Sequence, residues 1–211
     1  MVPRRRTPRP RPRLSRTDGA GGHSLTELCA ALAVMGLALA AGLPSLANSL
    51  GRERLETALR DLGRDLVGAR WRALATGRCT GLRFVRDAAG RLAWGVHADG
   101  DGDGLRSADI DAGTDPLLRR GALPTPLRAG LGAGPVPPAL PPQSGRLDRP
   151  EDPIKFGGAD LAAFSPAGSA TPGSLYLTDG RQSVALVLNG VTGRLRLFRL
   201  QGAKAAWKEI S

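Results

Sequence analysis

The stretch that decides the fold is Glu27 followed by Leu28-Cys29-Ala30-Ala31-Leu32-Ala33-Val34-Met35-Gly36-Leu37-Ala38-Leu39-Ala40-Ala41-Gly42-Leu43 and then Pro44. From Leu28 to Gly51 no residue carries a charge. At the α-helical rise of 1.5 Å per residue, about 20 such residues reach across a bilayer core of ~30 Å. Arginines precede the run, the arrangement that keeps an N-terminus cytoplasmic. The sequence therefore predicts a single membrane-spanning helix with a cytoplasmic N-terminus. Glu27 does not suit a plain anchor or secretory signal: a carboxylate at the head of an apolar run is costly in lipid and needs a partner.

Upstream, residues 1–22 hold seven arginines and one aspartate among several prolines, with almost nothing to bury. This leader accounts for +6 of the net charge of +11. A basic balance spread over a fold would indicate nucleic acid; here most of it lies in the leader. The 211 residues suffice for one ordinary domain plus accessory segments. With 29 glycines and 17 prolines, long irregular stretches are expected and a compact helical bundle is excluded. Two cysteines exclude a disulfide-rich scaffold, and two histidines leave little for a zinc centre. Cys29 and Cys79 are expected as small buried hydrophobes rather than as a bonded pair.

The junction Gly22-His23-Ser24-Leu25-Thr26-Glu27-Leu28 resembles the type III leader of type IV pilins and type II secretion pseudopilins. Their pattern is Gly, usually Phe or Met (here His23), then Ser/Thr-Leu-x-Glu and about twenty apolar residues. The resemblance implies cleavage by prepilin peptidase between Gly22 and His23, with methylation of the new N-terminus. Pro44 falls where pilin helices often carry a kinking proline. Glu27 would then meet the α-amine of a neighbouring subunit's cut end, a pair worth far more at low dielectric than in water. Such pairing sets a one-subunit stagger in pilin-like filaments.

Beyond Pro44, Leu55, Leu59, Leu62, Leu66, Ala69 and Ala73 recur at three- and four-residue steps, predicting an amphipathic helix over 51–77 that stops at Thr76-Gly77. Gly63 and Gly68 each weaken it by roughly 1 kcal/mol relative to Ala, so its apolar face needs a sheet to lie on. Cys79–Val85 and Arg91–His97 read as a hairpin around Asp87-Ala88-Ala89-Gly90. Further strands are expected at 116–123, 161–165, 174–178, 183–189 and 194–200, the last two joined by a turn at 190–193. Residues 124–150 carry eight prolines and little to bury, and are expected as an extended loop.

Ala69-Arg70-Trp71-Arg72-Ala73-Leu74-Ala75 resembles the helix end of GspH/FimT-type minor pseudopilins. Phe164-Ser165-Pro166-Ala167-Gly168, Leu175-Tyr176-Leu177, Val184–Leu188 and Gly193-Arg194-Leu195 resemble that family's C-terminal strands. The resemblance covers most of 22–200 apart from 124–150. It implies an α+β, pilin-like fold: a long N-terminal helix packed on an antiparallel β-sheet. The implied organisation is a cleaved leader (1–22), a hydrophobic transmembrane and assembly helix (23–50) crossing the inner membrane once, its amphipathic continuation (51–77) and a periplasmic β-rich domain (78–211). The implied role is structural, as a subunit of a type II secretion pseudopilus or a type IV pilus tip. Its partners would be prepilin peptidase, other pilin or pseudopilin subunits and the inner membrane.

Two polar groupings stand apart from that role. Asp99-Gly-Asp101-Gly-Asp103-Gly104 resembles the start of a calcium loop, with Asp109 and Asp111 flanking the twelfth position, where Ile110 replaces the bidentate Glu of an EF-hand. The alternative is a hairpin tip whose Asp and Gly serve turn geometry. The basic run Arg194, Arg196, Arg199, Lys204, Lys208 suggests an alternative function, a pilus-associated minor pilin binding DNA through its C-terminal strand, with Phe198 and Trp207 for stacking. No Ser/His/Asp set, phosphate loop or acid pair is present at a working spacing, so the sequence predicts no enzyme.

Overall fold

The computed structural model describes residues 24–147, 151–201 and 205–210; within it, the side chains of 41–48 are not described. The chain is mixed α+β with antiparallel sheets, and it divides into two units, Met1–Ser45 and Leu46–Ser211.

The first unit contains the start of helix α1 (Leu25–Thr76). Ser24 opens the helix: its carbonyl accepts the amides of Glu27 and Leu28, and its hydroxyl accepts that of Thr26. Glu27 sits in the first turn, where a negative charge favours the helix dipole. Every described residue from 24 to 40 is exposed, including Leu28, Leu32, Val34, Met35, Leu37 and Leu39. Cys29 is exposed as well, against its expected burial.

The expected inner-membrane span is corrected. Among the described residues no helix is long and apolar enough to cross a membrane. Helix α1 is long, yet its apolar stretch ends at Leu43, and Pro44, Ser45, Asn48 and Ser49 follow. Leu28 to Leu43 covers only about 24 Å as a helix, short of a bilayer core of ~30 Å. The uncharged length misled because it counted polar residues as if they were apolar. The single-pass inner-membrane placement with a periplasmic domain falls with it.

In the second unit, α1 presents Leu55, Ala58, Leu59, Leu62, Leu66, Ala69 and Ala73 to the core, the stripe that its periodicity predicts. The helix stops at Gly77, whose left-handed φ of 67° lets its amide reach the Ala73 carbonyl. Two sheets follow. The first has order β3-β2-β1-β6, with β1 Thr80–Arg86, β2 Leu92–Ala98, β3 Leu117–Ala122 and β6 Leu161–Phe164. The short helix α2 (Ser107–Ala112) lies between β2 and β3 in sequence. The second sheet has order β10-β9-β8-β7-β4, with β4 Arg128–Ala129, β7 Gly173–Thr178, β8 Ser183–Leu188, β9 Leu195–Gln201 and β10 Ala206–Glu209; β5 (Ile154–Lys155) also pairs with β7. All pairings are antiparallel.

Leu82, Phe84, Leu92, Trp94 and Val96 of the first sheet share one core with α1 and with Leu175, Leu177, Val184, Leu186 and Leu188 of the second. Strands β7 and β8 are buried along their whole length, so both faces of the second sheet are covered. The outer cover comes from residues 124–147, which corrects the expectation that the segment 124–150 has little to bury. Leu140 and Leu147 are buried with Tyr176, Ala185, Val187 and Phe198, and Leu131, Val136 and Ala139 pack against that cluster. The Leu140 amide donates to the Tyr176 hydroxyl (3.1 Å), and Trp207 Nε1 donates to the Pro138 carbonyl (2.8 Å).

Candidate functional site

Gly22 and His23, the expected cleavage and methylation positions, lie outside the described residues. Glu27 is exposed in the first turn of α1. Pro44 lies within the helix, its side chain outside those described.

The structure gathers three of the five candidate calcium ligands. One carboxylate oxygen each from Asp99, Asp101 and Asp103 lies within 4.8 Å of the others. Asp109 and Asp111 lie on α2 outside that group, and the Arg83 guanidinium holds both oxygens of Asp111. Asp99 is buried, and its two oxygens accept the amides of Gly102 (2.6 Å) and Gly104 (3.2 Å). Asp115, also buried, accepts those of Gly100 and Arg106. Gly102 and Gly104 have φ of 94° and 103°, where a side chain would be strained. Partial desolvation pushes the Asp103 carboxyl up, opposed by Arg106 and helped by the charges of Asp101 and Asp109. Calcium takes six to eight oxygens; here the most buried carboxylate is already occupied in closing the turn. These contacts close the turn that leads from β2 into α2.

The three candidate nucleic-acid arginines do not form one surface. Arg196 makes a bidentate pair with Glu209 (2.8 and 2.6 Å), and its guanidinium lies 5.0 Å from the Phe198 ring centre. Hydrogen bonding to Glu209 raises the Arg196 pKa, and the same bond lowers that of Glu209. Arg199 falls on the opposite face of β9 and bonds Glu56 of α1 at 2.7 Å. Arg194 is exposed. Phe198 is buried, and Trp207 packs on Tyr176 with ring centres 5.6 Å apart. The expected stacking pair therefore serves the second sheet's outer core.

A different site lies on the outer face of the first sheet, where sequence reading named only Asp111, and that as a candidate calcium ligand. It is a cavity of about 880 Å³ between β1, β2, β3 and α2. Cross-strand register puts Arg83, Gly95 and Arg120 in one row, flanked by Val85, Ala93 and Ala122 on one side and by Gly81, His97 and Leu117 on the other. Strand alternation in 93–97 is the signal that groups Ala93, Gly95 and His97 on one face. The pairing of β3, which brings in Arg120, is not legible in any one segment.

Set against known proteins, the chain finds no matching family model, no matching curated protein and no matching solved structure.

Proposed function

We propose that this chain is a structural subunit of the minor-pseudopilin class, similar to the GspH/FimT type, serving a type II secretion pseudopilus or a type IV pilus tip. The observation that carries the reading is the exposed apolar beginning of α1, Leu25 to Leu39, continuous in sequence with a stretch whose apolar face is buried under two antiparallel sheets. Burying one leucine or methionine stabilises by roughly 1.5–3 kcal/mol, so several such side chains left in water drive association. Neighbouring copies or related subunits, contributing equivalent helices, are the cover proposed for this face. Glu27 lies at its head and is offered as the partner of a neighbour's α-amine.

Mass and N-terminal sequence of the protein, made with and without prepilin peptidase, test the reading. The expected mature chain begins at His23, and Gly22→Asp leaves the leader attached. Glu27→Leu is expected to be cut normally but to incorporate poorly into filaments. An intact leader in cells with active peptidase overturns the proposal, as does full incorporation of the Glu27→Leu chain.

A further inference from the structure

We propose that the cavity on the outer face of the first sheet binds the carboxyl terminus of an apolar peptide, through Arg120 and the free nitrogen of His97. The site is distinct from the helix that carries the subunit reading.

The floor is shaped by Gly95. A Cβ there would lie 2.7 Å from His97 Nε2 and 2.9 Å from Leu117 Cδ1, so glycine lets both side chains lie down across the sheet. The register between β2 and β3 shifts between Val96 and His97, which leaves Leu118 unpaired and sets Leu117 opposite His97. His97 is only 8% exposed, yet its one hydrogen bond is from Nδ1 to the Asp115 carbonyl (3.2 Å). A carbonyl only accepts, so Nδ1 carries the proton, and in the neutral ring Nε2 is left as an acceptor. That nitrogen has no partner among the described residues, and the ring lines the cavity. It opens onto the cavity, where a ligand N–H would replace water as its donor.

The charges select the other half of the ligand. Four charged side chains line the cavity. Arg83 is held by Asp111, and Asp115 accepts two backbone amides. Arg120 is exposed and makes no ion pair among the described residues. Arg120 is the lining cation with no carboxylate on it, and a guanidinium fork matches a carboxylate. Arg120 stands opposite Gly95, one row from His97, about 7 Å along the strand and within the reach of the long arginine side chain. A carboxylate with an amide N–H one residue away is what a peptide's last residue supplies. Val85, Ile110 and Leu117 give its side chains apolar contact.

Calorimetry of the full chain with N-acetyl-leucyl-valine, its C-terminal amide and octanoate tests each part. The free acid is expected to bind at least about tenfold more tightly than the amide, the loss of one charge-assisted pair. Octanoate, which lacks the N–H, is expected to bind more weakly than the peptide acid. Arg120→Gln, on an exposed side chain that leaves the fold intact, should abolish the preference for acid over amide, whereas Arg64→Gln on α1 should not. The proposal is overturned by absence of binding into the millimolar range, by equal binding of acid and amide, by octanoate matching the peptide, or by an unchanged Arg120→Gln protein.

Discussion

Asp65 is an acid in the middle of the apolar stripe of α1, one residue before Leu66 and almost as deeply placed. It is tolerated because both of its oxygens are used: Trp94 Nε1 donates to one at 2.8 Å, and Arg119 of β3 pairs with the other. The helix is thereby tied to two strands of the first sheet. Asp65→Leu removes the acceptor and leaves the indole N–H buried without a partner. The expected loss is about 2 kcal/mol in urea unfolding. Adding Trp94→Phe to that variant removes the orphaned donor and is expected to recover part of the loss. Unchanged unfolding of the single variant would show that this acid carries no structural load. Stripe periodicity picks out Leu62, Leu66 and Ala69 and passes over Asp65, whose burial depends on Trp94 and Arg119 from distant segments.

Between elements, Glu56 joins α1 to β9. Partial burial works to raise its pKa, but hydrogen bonds from Arg199 and Arg52, and their charges, outweigh it and leave it below the ordinary 4.5. A carboxyl depressed in the folded state contributes stability above its unfolded pKa and loses it as pH falls through the folded one. The stability gap between wild type and Glu56→Gln is therefore expected to be flat above about pH 5 and to close as pH is lowered below 4.5. A double-mutant cycle with Arg199→Gln is expected to give a coupling on the order of 1 kcal/mol after solvent screening. A gap that widens on acidification would contradict this account.

Residues 124–147 make a different connection, over the second sheet. Leu140→Ala is expected to cost about 2–5 kcal/mol, as for other buried leucines, with a lowered unfolding midpoint as the readout. A value near zero would mean the loop does not seal that face. Its role escapes sequence reading because its leucines sit among prolines without period, whereas Leu55 to Ala73 and the strand pairs announce themselves by spacing of four and two. The six-residue α2 and the two-residue β4 and β5 are too short to carry a periodic signal. The Asp-Gly run is legible as a turn, since Asp99 binds amides only three and five residues away. The cavity's residues unite only through the register of three strands.

At the scale of the whole molecule, stability and association lie in different parts of the chain. Every buried side chain among the described residues belongs to Leu46–Ser211, and the described side chains of the first unit are all exposed. Removing the first unit therefore deletes no buried side chain among the described residues, only apolar surface that water solvates poorly. A chain beginning at Leu46 is expected to unfold in urea with the same midpoint and the same slope as the full chain, since the slope follows the surface exposed on unfolding. Sedimentation should separate the two: the full chain self-associates with rising concentration, and the shortened one stays monomeric over the same range. A shortened chain that fails to fold would place part of the core's support in residues before Leu46. One that still associates would move the contact surface onto the sheets, and the exposed apolar helix would lose its assigned role.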